Sequence, residues 1–176
     1  MNKNYLPKIK TERLLLRELK QSDWEVISYL RSDQIVNKFV KRPSAETKEK
    51  ALAFISKISN GIKKQNIYYW SISEKSNPEM VGSICLWNFS KDKKTAEIGY
   101  DLNPKFQQKG IMNEALKSVL EFGFENLKLE VIEAFTHKEN ASSKKLLERN
   151  KFKLIRGRKD EDNKDNIIYE IKKGSS

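Results

Sequence analysis

Residues 96–116 read AEIGYDLNPKFQQKGIMNEAL, and their types and spacing suit the binding of a phosphate group. A branched and aromatic run, Ala96 to Leu102, leads into a short polar turn, and the turn opens an amphipathic helical pattern from Gly110 to Phe124. The first residues of such a helix, here Gln108 to Met112, offer backbone N–H groups that have no partner within the helix. A diphosphate placed there accepts those N–H groups and meets the positive end of the helix dipole, while Gly110 allows close approach and Lys109 adds charge. The same residues also suit a helix start that binds nothing, because glycine is common at such positions.

Covalent chemistry has less support. The chain carries one cysteine, Cys85, and one histidine, His137. Cys85, in VGSICLWNF, has the setting of a half-buried core thiol, and His137 that of a structural or exposed loop residue without an identifiable partner. One cysteine makes no internal disulfide, and so few soft ligands leave no usual zinc site, so a reducing cytoplasm without metal is expected. The patterns G-x-G-x-x-G, G-x-x-x-x-G-K-[ST] and H-E-x-x-H are all absent.

The elements that must position this stretch follow from periodicity. Thr11 to Leu19 (TERLLLREL) fits a strand entering the core through Leu14 and Leu16. Ser22 as cap, with Glu25 three residues on, predicts a short helix to about Leu30. Ser44 begins a second helical pattern through Ala51, Phe54, Ile55 and Ile58, with Asn60-Gly61 as its stop. Ile67–Ser73, Glu79–Trp87 and Ala96–Leu102 are predicted as three successive antiparallel strands, with turns at Ser76-Asn77-Pro78 and Ser90-Lys91-Asp92. After the Gly110 helix come a strand at Val131–Thr136, a helix at Asn140–Asn150 and a closing hairpin of Phe152–Arg156 and Asn166–Ile171, its tip from Lys159 to Asp165 a mobile loop. Trp24, Trp70, Trp87, Tyr68 and Tyr69 are assigned to core and sheet. The order predicts an α+β domain: a mixed, mostly antiparallel central sheet of about six to seven strands flanked by about four helices. One domain is expected over residues 1–176, with its core at about 10–173.

At 176 residues the chain is long enough for a sizeable core. No segment approaches the roughly 18 apolar residues of a spanning helix, and Met1–Lys10 has no signal-peptide apolar run, so no membrane role is expected. Thirty-five basic against 24 acidic residues give a net charge of +11, which favours anionic partners such as nucleic acid, ribosome, membrane surface or a phosphorylated small molecule. The lysines alternate with Glu and Asp, so much of this charge equally serves solvation.

The element order and four motifs together resemble the GNAT superfamily of N-acetyltransferases, in particular its branch of ribosomal-protein N-terminal acetyltransferases. The family's acetyl-CoA motif is Gln or Arg, two residues, Gly, one residue, then Gly or Ala. Gln107-Gln108-Lys109-Gly110-Ile111-Met112 fits it at Gln107 and Gly110; Met112 is similar to a form found within that branch, and Gln108 stands where many relatives have another Gly. TERLLLREL resembles the family's opening strand, AEIGYDL its fourth strand, and Asn140-Ala141-Ser142-Ser143 with Leu147 to Phe152 its late helix and next strand. That helix usually ends in Gly-Phe; with Lys151 in the glycine position, Asn150 is expected to take the left-handed conformation.

The resemblance implies transfer of an acetyl group from acetyl-CoA to a primary amine by direct attack in a ternary complex, without metal. It assigns the cofactor to Gln107, Gln108, Lys109, Gly110, Ile111 and Met112, and the thioester carbonyl to a backbone amide within Tyr100, Asp101 and Leu102. Asn140 would bond the pantetheine arm and Ser143 would act as acid toward the leaving sulfur. Glu97 matches the position of a general base in some members; alternation puts Glu97, Gly99 and Asp101 on one strand face. Trp87, at a strand end, is a substrate-wall candidate. The implied acceptor is a small amine or a protein N-terminus, including that of a ribosomal protein, and the protein a monomer or homodimer. The alternatives are a basic ribosome- or nucleic-acid-binding module, which lacks any RNA-recognition motif, and a CoA-binding member without turnover.

Overall fold

Two-residue alternation in the central strands separates an apolar from a polar face, and the sheet is built on that division. The computed structural model describes residues 6–175. In chain order the elements are β1 (Ile9–Lys10), β2 (Leu14–Arg17), α1 (Trp24–Ser32), α2 (Lys48–Lys63), β3 (Tyr68–Glu74) and β4 (Asn77–Trp87), then β5 (Thr95–Leu102), α3 (Ile111–Glu125), β6 (Val131–His137), α4 (Ala141–Arg149), β7 (Lys153–Leu154) and β8 (Asn166–Lys172). They form an eight-stranded sheet in the order β1-β2-β3-β4-β5-β6-β8-β7. Every neighbouring pair is antiparallel except β5 and β6, which are parallel and joined by the α3 crossover. The α+β architecture follows the sequence-based expectation, with the two-residue β1 added at one edge.

One face carries Leu14, Leu16, Trp70, Ile72, Ile84, Leu86, Ile98 and Ile132, all buried against the α3 stripe of Ile111, Ala115, Leu116 and Val119. Each fully buried aliphatic side chain of this layer contributes about 2 kcal/mol. The other face is polar at its centre, where Ser71, Ser73 and Ser83 are buried. Over it, α1 and α2 contribute their own small core of Ile27, Leu30, Ala51 and Ile55 with Met80. Arg17 on this face forms a buried two-pronged pair with Asp23, Nη1 to Oδ2 at 2.8 Å and Nη2 to Oδ1 at 2.9 Å.

Several local expectations are corrected by packing. Asp23 rather than Ser22 closes the turn before α1, accepting the Lys20 N–H at 2.8 Å while it pairs with Arg17. Thr47 rather than Ser44 caps α2, and the helix continues through Asn60 and Gly61 to Lys63. Gly61 packs so closely on the residue before β3 that a Cβ there would lie 2.7 Å from Ile67 Cγ2; it is a packing glycine, not a stop. Asn77 and Pro78 belong to β4, whose pairing with β3 is irregular there, and the strand predicted over Phe152–Arg156 is reduced to Lys153–Leu154.

The end of α4 is a further correction. Lys151, not Asn150, takes the left-handed conformation, with φ of 70°. Its N–H bonds Glu148 C=O and the Phe152 N–H bonds Leu147 C=O, the paired bonds of a Schellman cap, and Leu147 and Phe152 are both buried. Asn150 is held otherwise: its Nδ2 donates to Asn113 Oδ1 of α3 at 2.8 Å and to Leu146 C=O at 2.9 Å. The cap therefore falls on a residue with a Cβ penalty. Lys151→Gly should stabilise the protein by about 1 kcal/mol, read as a higher urea midpoint at unchanged slope.

Candidate active site

The β5–β6 pairing stops half-way along β5. Register runs from Thr95 opposite Val131 to Ile98 opposite Ala134 and goes no further. Beyond it β5 stays paired to β4 as far as Leu102, and β6 stays paired to β8 as far as His137. The two strands thus diverge inside the sheet. The Asn103 N–H to Val81 C=O bond at 2.9 Å sets the phase of the β4–β5 ladder, so that Tyr100 and Leu102 turn their backbone groups into the split.

The start of α3 stands beside this split. Gln108 has φ of 62° and Gly110 has φ of 74°, so the turn passes through two left-handed residues before Ile111 begins the helix. Among the described residues, no protein group accepts from the N–H groups of Gln108, Lys109, Gly110, Ile111 or Met112. This is the concave set of free donors that suits an anion. Arg13 holds the turn from behind: Nη1 donates to Lys109 C=O at 2.9 Å and Nε pairs with Glu114 Oε1 at 2.9 Å. Glu114 also accepts from the Arg13 N–H at 3.0 Å and from the Thr11 hydroxyl. Desolvation raises the Glu114 carboxyl, but the bonds from Thr11 and Arg13 outweigh it and hold the group below its ordinary range. A Cβ on Gly110 would lie 3.2 Å from Arg13 Nη2, so the backbone is already close to its support. Gln107 Nε2 reaches Leu102 C=O at 3.3 Å, linking the turn to the split strand.

Across the split, α4 begins at Asn140, whose side chain caps the helix by accepting the Ser143 N–H at 3.2 Å. Ser143 is buried, and its Oγ lies 2.6 Å from the phenol oxygen of Tyr100. Burial pushes the Tyr100 phenol up to about 12, a rise that its bond to Ser143 opposes.

The opposite sheet face carries the carboxylates. Glu97 stands between Trp87 of β4 and Glu133 of β6. Burial pushes its carboxyl up to about 7; the bond from Asn88 Nδ2 at 3.2 Å opposes this, and the negative charges of Asp160 and Glu133 add to it. Glu133 itself pairs with Arg158. Trp87 is 43% exposed, and it lines an open groove of about 700 Å³ along α2 with Ser56, Lys57, Asn60 and Lys64. Asp101 turns its side chain to this face, where it accepts from Ser83 and pairs with Arg42 Nη2 at 3.0 Å. Cys85 is a core thiol as expected, its ionisation pushed up to about 12 by burial. His137 does have a partner: it ends β6 and its ring lies 4.9 Å from that of Phe39, in the α1–α2 connection.

The family model for the GNAT acetyltransferase domain matches residues 13–153. The chain belongs to the GNAT acetyltransferase family. It is an acetyl-CoA-dependent N-acetyltransferase, in agreement with its relatives. Among these is the uncharacterized N-acetyltransferase YnaD of Bacillus subtilis, 31% identical over 141 residues that make up 80% of this chain and 79% of that one. A GNAT-family acetyltransferase structure from Bacillus anthracis superposes with a TM-score of 0.79 at 27% identity, covering 94% of this chain and 98% of its own. The fold is shared further with the ribosomal L7/L12 alpha-N-protein acetyltransferase RimL in complex with coenzyme A, at TM-score 0.81 and 18% identity, covering 94% and 98% of the two chains.

The fold brings Gln107–Met112, Tyr100–Leu102, Asn140 and Ser143 to one split in the sheet, and sets Glu97 and Trp87 on the face behind it. Sequence reasoning gave no role to Arg13, Glu114 or Arg42, whose partners lie far away in the chain, nor to Phe39 beside His137.

The Glu97 environment makes stability depend on pH. Its folded-state ionisation, near 7, lies above the ordinary 4.5, so the fold favours the neutral acid. That contribution is complete below the unfolded value and is lost as pH rises through the folded one. Glu97→Gln keeps the neutral shape at every pH. Urea unfolding should show the variant gaining stability relative to wild type between about pH 4.5 and pH 8; a constant difference would contradict the burial argument.

Proposed function

We propose that the protein acetylates a primary amine by direct attack of the neutral amine on acetyl-CoA in a ternary complex. The observation that carries this reading is the split after Ile98 and Ala134, flanked by the free N–H groups of Gln108 to Met112. An extended chain ending in a diphosphate fits both: the split offers strand-like amide partners, and the helix start offers donors for the phosphates. Acetyl-CoA supplies the acetyl group and a thiolate leaving group.

The residues then divide the work. Gln107, Gln108, Lys109, Gly110, Ile111 and Met112 hold the diphosphate, and Asn140 meets the pantetheine arm. The backbone of Tyr100 to Leu102 donates to the thioester carbonyl, where negative charge develops during attack. Asp101 contributes its backbone only, since its carboxylate is taken by Ser83 and Arg42. Glu97 accepts the proton of the incoming ammonium through water, because an acid ionising near 7 is suited to that transfer at neutral pH. Ser143 donates to the departing sulfur. No enzyme nucleophile is needed, which agrees with a Cys85 thiol held neutral by burial.

The acceptor is an ammonium drawn to the carboxylates of Glu97, Glu133 and Asp160, locally acidic on a chain of +11. The groove beside Trp87 favours an extended acceptor, a protein N-terminus of the ribosomal-protein kind, over a compact amine. A reducing cytoplasm suits such a substrate. The basic residues Lys8, Lys10, Lys20 and Lys75 gather instead around a hollow at the β1–β3 end of the sheet, interspersed with Glu18 and Glu74.

Three measurements test this reading. Gly110→Val, which strains a left-handed residue and crowds Arg13, should weaken acetyl-CoA by tenfold or more in calorimetric titration; unchanged affinity would remove the cradle. Glu97→Gln should lower kcat on the order of 100-fold at neutral pH, with partial recovery as alkaline conditions deprotonate the amine, and with acetyl-CoA affinity intact. A loss under about threefold would refute the base. In thiol-release assays, unstructured peptides with free N-termini should outpace polyamines and small amines.

A further inference from the structure

The Tyr100 phenol lies half-buried beside the site, yet the chemistry above uses only the backbone of that residue. Its oxygen lies 2.6 Å from Ser143 Oγ, and neither hydroxyl has another side-chain or backbone partner among the described residues. Two hydroxyls sharing one bond hold two hydrogens, so one hydrogen remains for a third group. The phenol is the more acidic of the two and is the better donor. With Tyr100 as the donor and Ser143 as the acceptor, the serine keeps its own hydrogen to give.

A helical serine can turn back on its own helix. Ser118 of α3 does this, with Oγ donating to Ala115 C=O at 2.8 Å. Ser143, in the first turn of α4, does not. Its bond is to the Tyr100 phenol instead.

We propose that Tyr100 is a positioning residue: its phenol holds the Ser143 hydroxyl so that the serine hydrogen points at the departing sulfur of coenzyme A. The inference rests on the assignment of Ser143 above. No net proton leaves Tyr100. As the carbon–sulfur bond breaks, its electron pair stays on sulfur, Ser143 O–H hydrogen-bonds that thiolate, and the phenol bond polarises the serine hydroxyl in the same direction. The proton that finally neutralises the sulfur is the one released by the amine.

The equilibrium readout is the ionisation of the coenzyme A thiol bound to the intact protein, followed by thiolate absorbance against pH. A donor aimed at sulfur stabilises the thiolate, so the bound thiol of wild type should ionise at lower pH than that of Ser143→Ala. Tyr100→Phe should shift it as far as Ser143→Ala does, and the double variant no further. Desulfo-coenzyme A should bind all four proteins equally. In turnover, each single variant should lose about tenfold in kcat with KM for acetyl-CoA unchanged, and the double variant should match the singles. Site-specific 3-fluorotyrosine at position 100, which keeps the shape and sharpens the donor, should move the bound thiol further down and serves equally if Tyr100→Phe fails to fold. If Ser143→Ala changes neither thiol ionisation nor kcat, the Ser143 assignment itself fails and the proposal fails with it. If Ser143→Ala acts but Tyr100→Phe or the fluorinated residue does not, or if the two losses multiply, the positioning role alone is overturned.

Discussion

A strand inside a sheet satisfies its backbone on both edges, and β5 does so over only half its length. From Thr95 to Ile98 it is bonded to β4 and β6; from Gly99 to Leu102 it keeps β4 alone. The sheet survives this because each diverging strand retains an outer partner, β4 for β5 and β8 for β6. Unpaired backbone groups within a fold call for a partner. Here the opening lies where α3 and α4 both begin, so that strand edges and a helix start face one place, as the proposed site requires.

The helix start works because tertiary contacts hold a turn that its local sequence does not favour. Gln108, with a side chain, occupies a left-handed conformation that costs about 1 kcal/mol, and Gly110 follows it in the same region. Arg13 offsets that cost from the β1–β2 turn by tying Lys109 C=O and Glu114 together. Glu114 also places a carboxylate in the first turn of α3, where the dipole favours it. The free N–H groups are thereby pre-organised, so little ordering is left to be paid on binding.

Charge is divided between the two sheet faces and between its ends. The apolar face holds the core and, at the split, the Tyr100–Ser143 hydroxyl pair. The polar face holds Glu97 in a setting where desolvation and neighbouring carboxylates keep it protonated up to neutral pH. In the proposed reaction a base on one face of β5 and a serine held against its other face each act on their own side of the thioester. Strand alternation alone produces this separation, since Glu97 and Tyr100 differ by an odd number of positions.

The sequence alone determined the order of elements, the α+β class, the amphipathic α3 with Gly110 at its head, and the alternation that parts Glu97 from Tyr100. These depend on periodicity and on residues within one or two turns of each other, which a linear chain displays directly. It misread what neighbours in space decide. Asn60-Gly61 looks like a helix stop until Ile67 is packed against it, Ser22 looks like a cap until Arg17 draws in Asp23, and Asn150 looks like the left-handed residue until its amide is claimed by Asn113. Only the tertiary structure decided that β5 and β6 part after Ile98, that Arg13 reaches a glutamate 101 positions away, and that a phenol on β5 meets a serine on α4. Such contacts carry no local signature, because their energy is released only when the sheet and the helices have already brought distant residues together.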